Sequence, residues 1–227
     1  MKEGNPLVPS DFRNKASHIP VAPEGIPYIF AAVFVTLVTA VLGQSILAWL
    51  FMILTLFIGH FFRDPQRVVS VNPEDLASPA DGNVIAVKRV DGNRFFQKPC
   101  MKISIFMSVF DVHVNRIPFS GTIEGVHYQK GRFLAANFAQ ASVENEQNWL
   151  WIQTDSGHDL VMTQVAGLIA RRIVCWPTVG DRVLKGERFG MIRFGSRMDV
   201  YVPENSDILV STGQHVYGGE TVLCRLK

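Results

Sequence analysis

The stretch Gly190-Met191-Ile192-Arg193-Phe194-Gly195-Ser196-Arg197-Met198-Asp199-Val200-Tyr201-Val202-Pro203 carries two patterns at once. Apolar residues alternate on both sides of its centre, Ile192 and Phe194 before it and Met198, Val200 and Val202 after it. That is the period of a β-strand with one buried face. At the centre, Gly195 can take backbone angles closed to other residues, and a serine hydroxyl follows it directly. Two readings of this dipeptide are open. Gly-Ser is a common turn pair. Held in a strained turn, the Ser196 hydroxyl can instead attack the accessible carbonyl of Gly195. Elimination and hydrolysis of the resulting ester would leave Ser196 as an N-terminal pyruvoyl group, a ketone made from the chain itself.

The 227 residues allow one good-sized domain and an appendage. With 22 Lys and Arg against 20 Asp and Glu, the formal charge of +2 gives no basis for a nucleic-acid partner. Cys100, Cys175 and Cys224 are odd in number and lack metal-ligand spacing, so they read as reduced residues of a cytosol-facing protein.

Residues 1–24 hold Pro6, Pro9, Pro20 and Pro23 and are expected to form an irregular lead. From Gly25 to Phe62 there is no Asp, Glu, Lys or Arg. One helix over that length would run roughly 55 Å, against a hydrocarbon core of about 30 Å. Gly43-Gln44-Ser45 divides the stretch into apolar halves at 28–42 and 46–59, which predicts a helical hairpin over 25–62 that dips into one leaflet or spans with two short tilted helices. A hairpin buried in a soluble core is the alternative. Lys2, Arg13 and Lys15 before it and Arg63 and Arg67 after it put both ends on the cytoplasmic face of the cell membrane.

Residues 63–227 change character. Short alternating runs at Asn83–Val87, Lys102–Val109, Gly121–His127, Trp149–Thr154, Asp159–Val165 and Ile173–Trp176 predict a mostly β (α+β) fold with a β-sandwich-hybrid-like domain. Gly180–Phe189 is echoed by Gly213–Val222, each reading as strand, glycine turn, strand. A lipoyl carrier would need its lysine at a tip between the repeats, but Lys185 lies inside one of them. A zinc peptidase would need a His-x-His pair, which is absent from the six histidines, so no metal is expected. A non-catalytic membrane adaptor remains open.

Asp81 ends Ser78-Pro79-Ala80-Asp81-Gly82 on a tight turn, and His113 sits in Ser108-Val109-Phe110-Asp111-Val112-His113-Val114-Asn115-Arg116-Ile117-Pro118. Separately they read as a turn-former and a satisfied strand-end histidine. Taken with Phe62-Arg63-Asp64-Pro65 and Phe194-Gly195-Ser196, the chain from about Phe61 onward resembles the short form of the phosphatidylserine decarboxylase proenzymes. Longer members carry a second histidine three residues after the first, where this chain has Arg116.

The resemblance implies self-cleavage before Ser196 into a β chain of 1–195 and an α chain of 196–227, which stay together as a heterodimer. Ser196 would become the pyruvoyl cofactor and bind the substrate amine as a Schiff base. His113 would be the base for cleavage and the acid for decarboxylation, oriented by Asp81, whose charge would raise the histidine pKa. Phosphatidylserine in the bilayer would be the substrate and phosphatidylethanolamine and CO2 the products. Homo-oligomerisation is left open.

Overall fold

The charge-free segment forms two helices, α1 (Ile26–Val41) and α2 (Ser45–Phe61), in a computed structural model that describes residues 20–92, 98–138, 140–168, 173–192 and 195–227. Most of the predicted lead therefore lies outside the described residues, as does Phe194. The helices turn back at Gly43, whose φ of +72° is the left-handed value that ends a helix at glycine. Thr36 and Thr55 hydroxyls meet between them at 3.2 Å, while Phe30, Phe34, Val41, Ile46 and Trp49 face outward. The helical run Pro23–Val41 is long and apolar enough to cross a membrane by length and composition; Ser45–Phe61 is shorter. At the base of the hairpin, the Ala22 N–H donates to the Phe62 carbonyl at 2.8 Å and the Asp64 N–H to Pro20 at 2.9 Å.

The rest is mostly β, as the alternating runs predict. The strands are β1 (Asp75–Ala77), β2 (Gly82–Val90), β3 (Cys100–Met107), β4 (Val114–Arg116), β5 (Gly121–Gln129), β6 (Gln147–Thr154) and β7 (Asp159–Val165). They continue with β8 (Ile173–Cys175), β9 (Arg182–Val183), β10 (Arg188–Ile192), β11 (Ser196–Pro203), β12 (Asp207–Ile208), β13 (His215–Val216) and β14 (Val222–Arg225). A one-turn helix, α3 (Ala141–Glu144), precedes β6. An eight-stranded sheet runs β13-β2-β3-β11-β7-β6-β5-β9, with two three-stranded sheets, β4-β10-β8 and β1-β14-β12. Its inner face carries Ile103, Ile105, Met107, Leu150, Ile152, Met162, Met198, Val200 and Val202, all fully or almost fully buried. Each such side chain contributes roughly 1.5–3 kcal/mol by leaving water.

The alternation in β11 suggests one buried face, but the structure buries both. On the second face Arg197 is covered by the excursion between β5 and β6, Asp199 is buried beside it, and Tyr201 packs against Trp149. Arg197 donates to the Ala136 and Phe138 carbonyls at 2.9 and 3.1 Å, and Asp199 takes Lys102 at 2.7 Å. These polar groups tolerate burial because each charge meets a partner.

The sequence echo is a structural repeat. One arm runs from β9 through Gly186 (φ +85°) to β10, and the other from β13 through Gly219 (φ +82°) to β14. The first strand of each arm closes one end of the large sheet, and the second is the middle strand of a small sheet. Their backbone bonds match. The Gly186 N–H donates to Ile117 and the Gly219 N–H to Ser78, both at 2.7 Å, with the return bonds Ile117 to Glu187 and Ser78 to Thr221 also at 2.7 Å.

The hairpin is tied to this domain by a buried carboxylate. Asp64 accepts Arg116 at 2.8 Å and also Arg188, and Arg116 further donates to the Pro65 and Gly186 carbonyls at 2.9 and 3.1 Å. Arg116 thus anchors the segment that follows the hairpin. Arg116→Ala removes one of the two cations that share the Asp64 charge, leaving Arg188, and should lower unfolding free energy by about 2–3 kcal/mol. Chemical denaturation in a Ser196→Ala background measures this directly, and a loss below about 1 kcal/mol would contradict the anchor role.

Candidate active site

Gly195 has a φ of +57°, and a Cβ placed on it would meet nothing within 4 Å. The glycine is required there by its backbone angle rather than by lack of room. Ser196 opens β11 directly after it, fully buried, paired across the sheet with Met107 of β3. Its hydroxyl lies 4.0 Å from the Met107 sulfur.

His113 stands just ahead of β4, which is hydrogen-bonded to β10, the strand that leads into this turn. The turn before it is built by Asp111. The Asp111 carboxylate accepts the Ser108 N–H at 2.8 Å and the Ser108 hydroxyl at 2.7 Å, and the Asp111 N–H donates back to Ser108 at 3.0 Å. That geometry brings the Asp111 carbonyl to His113 Nδ1 at 2.9 Å. Such a contact puts the proton on Nδ1 and leaves Nε2 as the lone-pair nitrogen. Nε2 is buried and has no hydrogen-bond partner among the described residues.

The ring is fully buried and tilts against Phe61 of α2, with centroids 4.2 Å apart, in a cluster with Ala22, Phe62, Val112, Val114 and Met191. Burial pushes its pKa down to about 4. The expected rise caused by an aspartate partner does not occur.

Asp81 is engaged elsewhere. Its carboxylate accepts the Gly218 N–H and the Arg67 guanidinium, each at 2.7 Å, rather than bonding His113. Arg67 also reaches Glu220 at 2.9 Å. Burial raises the Asp81 pKa against the opposing pull of the Gly218 N–H and Arg67. The orienting partner of His113 is therefore the backbone of Asp111, because the strand-end turn presents a carbonyl there.

A polar chain that no motif announced leads to the same place. Asn148 donates to Gln164 at 3.1 Å and Gln164 to Asn115 at 2.9 Å. Asn115 contacts the Met107 sulfur at 3.7 Å, the same atom that the Ser196 hydroxyl approaches at 4.0 Å. All three amides are buried. The available signal was polar residues at inward positions of β4, β6 and β7, visible only once the pairing is known. Among the described residues there is no cluster of three His, Cys, Asp or Glu able to hold a metal.

A histidine held neutral by burial has a defined pH signature. The unfolded chain takes up the proton near pH 6.5 and the folded chain only near 4, so this contribution to stability is present above pH 6.5 and lost as the pH falls toward 4. In Ser196→Ala protein, NMR titration should place His113 near 4, and Phe61→Ala should move it up toward 6.5 by uncovering the ring. A wild-type value at or above 6.5 would overturn the burial argument.

Comparison with known proteins agrees in family. Residues 54–224 match the family model described as phosphatidylserine decarboxylase. The chain is 47% identical over 211 residues to a phosphatidylserine decarboxylase proenzyme of Geotalea uraniireducens, covering 93% of this chain and 98% of that one. It is 48% identical over 208 residues to the proenzyme of that name from Syntrophotalea carbinolica, covering 92% and 97%. A third, from Desulfotalea psychrophila, is 46% identical over 205 residues, covering 90% and 96%. With its own glycine–serine turn and buried histidine in the matched region, the chain belongs to the phosphatidylserine decarboxylase family of enzymes.

Proposed function

We propose that the chain cuts itself between Gly195 and Ser196, and that the 1–195 and 196–227 pieces together form a pyruvoyl-dependent decarboxylase. Its reaction converts phosphatidylserine to phosphatidylethanolamine and CO2. The observation that carries this reading is His113 Nε2, a neutral, buried and unpartnered base ahead of the strand paired with β10. An orphaned nitrogen of this kind fits a site that must first take a hydroxyl proton and later handle one on substrate.

Ser196 Oγ attacks the Gly195 carbonyl carbon as His113 Nε2 accepts the hydroxyl proton. The carbon–nitrogen bond breaks, the proton passes to the leaving amine, and an ester joins the two pieces. Loss of the Ser196 Cα proton and departure of the Gly195 carboxylate leave a dehydroalanine, which water converts to the pyruvoyl end with release of ammonia. The ketone then supplies an electron sink beside a bound α-amino carboxylate. His113 Nε2, the exchanging atom because Nδ1 is tied to Asp111, would take a proton from the substrate ammonium as it becomes the attacking amine and return it to the carbon that loses CO2. Asp81 acts as a positioning residue, joining the Ser78–Gly82 loop to Arg67 just beyond the hairpin.

The outward apolar faces of α1 and α2 support insertion into a bilayer, with both ends on the cytoplasmic side. Phe61 belongs to that hairpin and also covers His113, so the base stands at the membrane edge of the domain, where a two-tailed lipid resides.

Two experiments test the reading. Purified protein should run as two chains on denaturing mass spectrometry, the shorter comprising residues 196–227 with a blocked N-terminus. Ser196→Ala should stay whole, and His113→Ala should cleave at least about 100-fold more slowly. A wild-type chain that stays whole yet decarboxylates lipid would refute self-processing. Offered phosphatidylserine vesicles and free serine, the mature enzyme should favour the lipid by orders of magnitude. Equal turnover would remove the lipid assignment and leave the chemistry.

A further inference from the structure

The carbonyl group that must be attacked is packed against a second glycine. Gly167 follows β7, and a Cβ built on it would lie 1.7 Å from the Gly195 carbonyl oxygen and 2.8 Å from its carbon. Real Cβ atoms essentially never come within 3.0 Å of such an atom, so any side chain at 167 would have to displace one backbone by more than about 1 Å. The two glycines serve different needs. Position 195 requires a left-handed angle and has open space around it, whereas position 167 requires the space.

Neither backbone can yield cheaply. The Ala166 N–H donates to Glu146 at 2.9 Å, and the Ala166 carbonyl accepts Asn145 Nδ2 at 2.7 Å, which pins the chain one residue before Gly167. On the other side Ser196 is in register with Met107, and Arg197 with both Phe106 and Val165. Gly167 is itself buried. The backbone surface at 167 therefore acts as a stop for the scissile carbonyl and sets the direction from which its carbon can be reached.

We propose that Gly167 is a positioning residue for self-cleavage. Its bare Cα seats the Gly195 carbonyl so that the carbon faces the Ser196 hydroxyl. This inference rests on the self-cleavage reading above and adds the residue that aims the electrophile. A methyl group at 167 shifts the carbonyl by about 1 Å, a displacement that costs about 100-fold in a reaction needing aligned atoms.

The test compares two glycines at each of which a Cβ would collide with a backbone carbonyl oxygen. A Cβ at Gly121 would lie 2.2 Å from the Gln153 carbonyl oxygen, but Gly121 is in β5, separated from β11 by β6 and β7. Full-length wild type, Gly167→Ala and Gly121→Ala are made by cell-free translation in the presence of phospholipid nanodiscs. Release of residues 196–227 is timed by mass spectrometry. Samples are also treated with hydroxylamine, which splits the chain wherever the ester has formed. Melting temperatures are read for both substitutions in a Ser196→Ala background, where processing cannot interfere.

Gly167→Ala should process about 100-fold more slowly and yield no hydroxylamine-released fragment, with more effect on rate than its melting temperature explains. Gly121→Ala should lower the melting temperature while its folded fraction processes at the wild-type rate. Wild-type processing by Gly167→Ala overturns the inference and leaves self-cleavage intact. Ester accumulation in Gly167→Ala also overturns it, since the attack would then have occurred. Slowing by both variants in proportion to lost stability reduces Gly167 to a structural role and overturns it as well. A wild-type chain that is never processed overturns both readings.

Discussion

The pairing of β11 with β3 and β7 is the constraint on which the rest depends. Ser196 is the first residue of a strand that stays in register with β3 from Ser196 to Pro203 and with β7 from Arg197 to Tyr201. The hydroxyl therefore sits on one of the best-held backbones in the molecule, while the glycine before it occupies the left-handed region that other residues enter only with strain. Breaking the bond between Gly195 and Ser196 interrupts neither β10 nor β11. The C-terminal piece would also keep β14, the middle strand of a small sheet, and β13, an edge of the large one. A cut here divides the chain without dividing the fold.

Burial sets the state of the base. His113 lies against Phe61 at the end of the apolar hairpin, and the same contacts that seat the helices on the domain exclude water from the imidazole. Desolvation outweighs the Asp111 carbonyl and carboxylate, which both favour the charged form, so the ring stays neutral through the physiological range. The apolar hairpin and the proposed base are one packing unit. The Asp64 carboxylate, shared by Arg116 and Arg188, holds that unit in place from the other side. Arg116 is thus an anchor here, its guanidinium donating to Asp64, Pro65 and Gly186.

The internal repeat gives an independent view of Asp81. In one arm the Lys185 N–H is accepted by the Ser120 hydroxyl at 2.9 Å; in the other the Gly218 N–H is accepted by the Asp81 carboxylate at 2.7 Å. The two residues hold matching turns, and a hydroxyl suffices for that task. What the carboxylate adds is a second oxygen, and that oxygen takes Arg67 from the segment after the hairpin. The charge at this position serves the junction between the hairpin and the domain, beyond what the turn itself needs.

Much of this was legible in the residues themselves. An uninterrupted run without charge, broken by Gly43, dictates two apolar helices because an unpaired charge could not be tolerated on those faces. The two-residue period of Lys102–Val109 and Asp159–Val165 dictates strands, and Gly195-Ser196 marks a turn with a nucleophile. Both are local properties, set by backbone sterics and side-chain period within a few residues. Partners across the sheet are not local. Whether His113 meets the Asp81 carboxylate or the Asp111 carbonyl depended on how β4 leaves its turn. Whether Arg116 served chemistry or anchoring depended on where Asp64 lay. The close approach of Gly167 to the Gly195 carbonyl joins two glycines 28 residues apart in sequence, and nothing near either one announces the other. Only the register of β7 against β11 brings them together, because the close approach of two backbones is decided by sheet pairing rather than by either stretch alone.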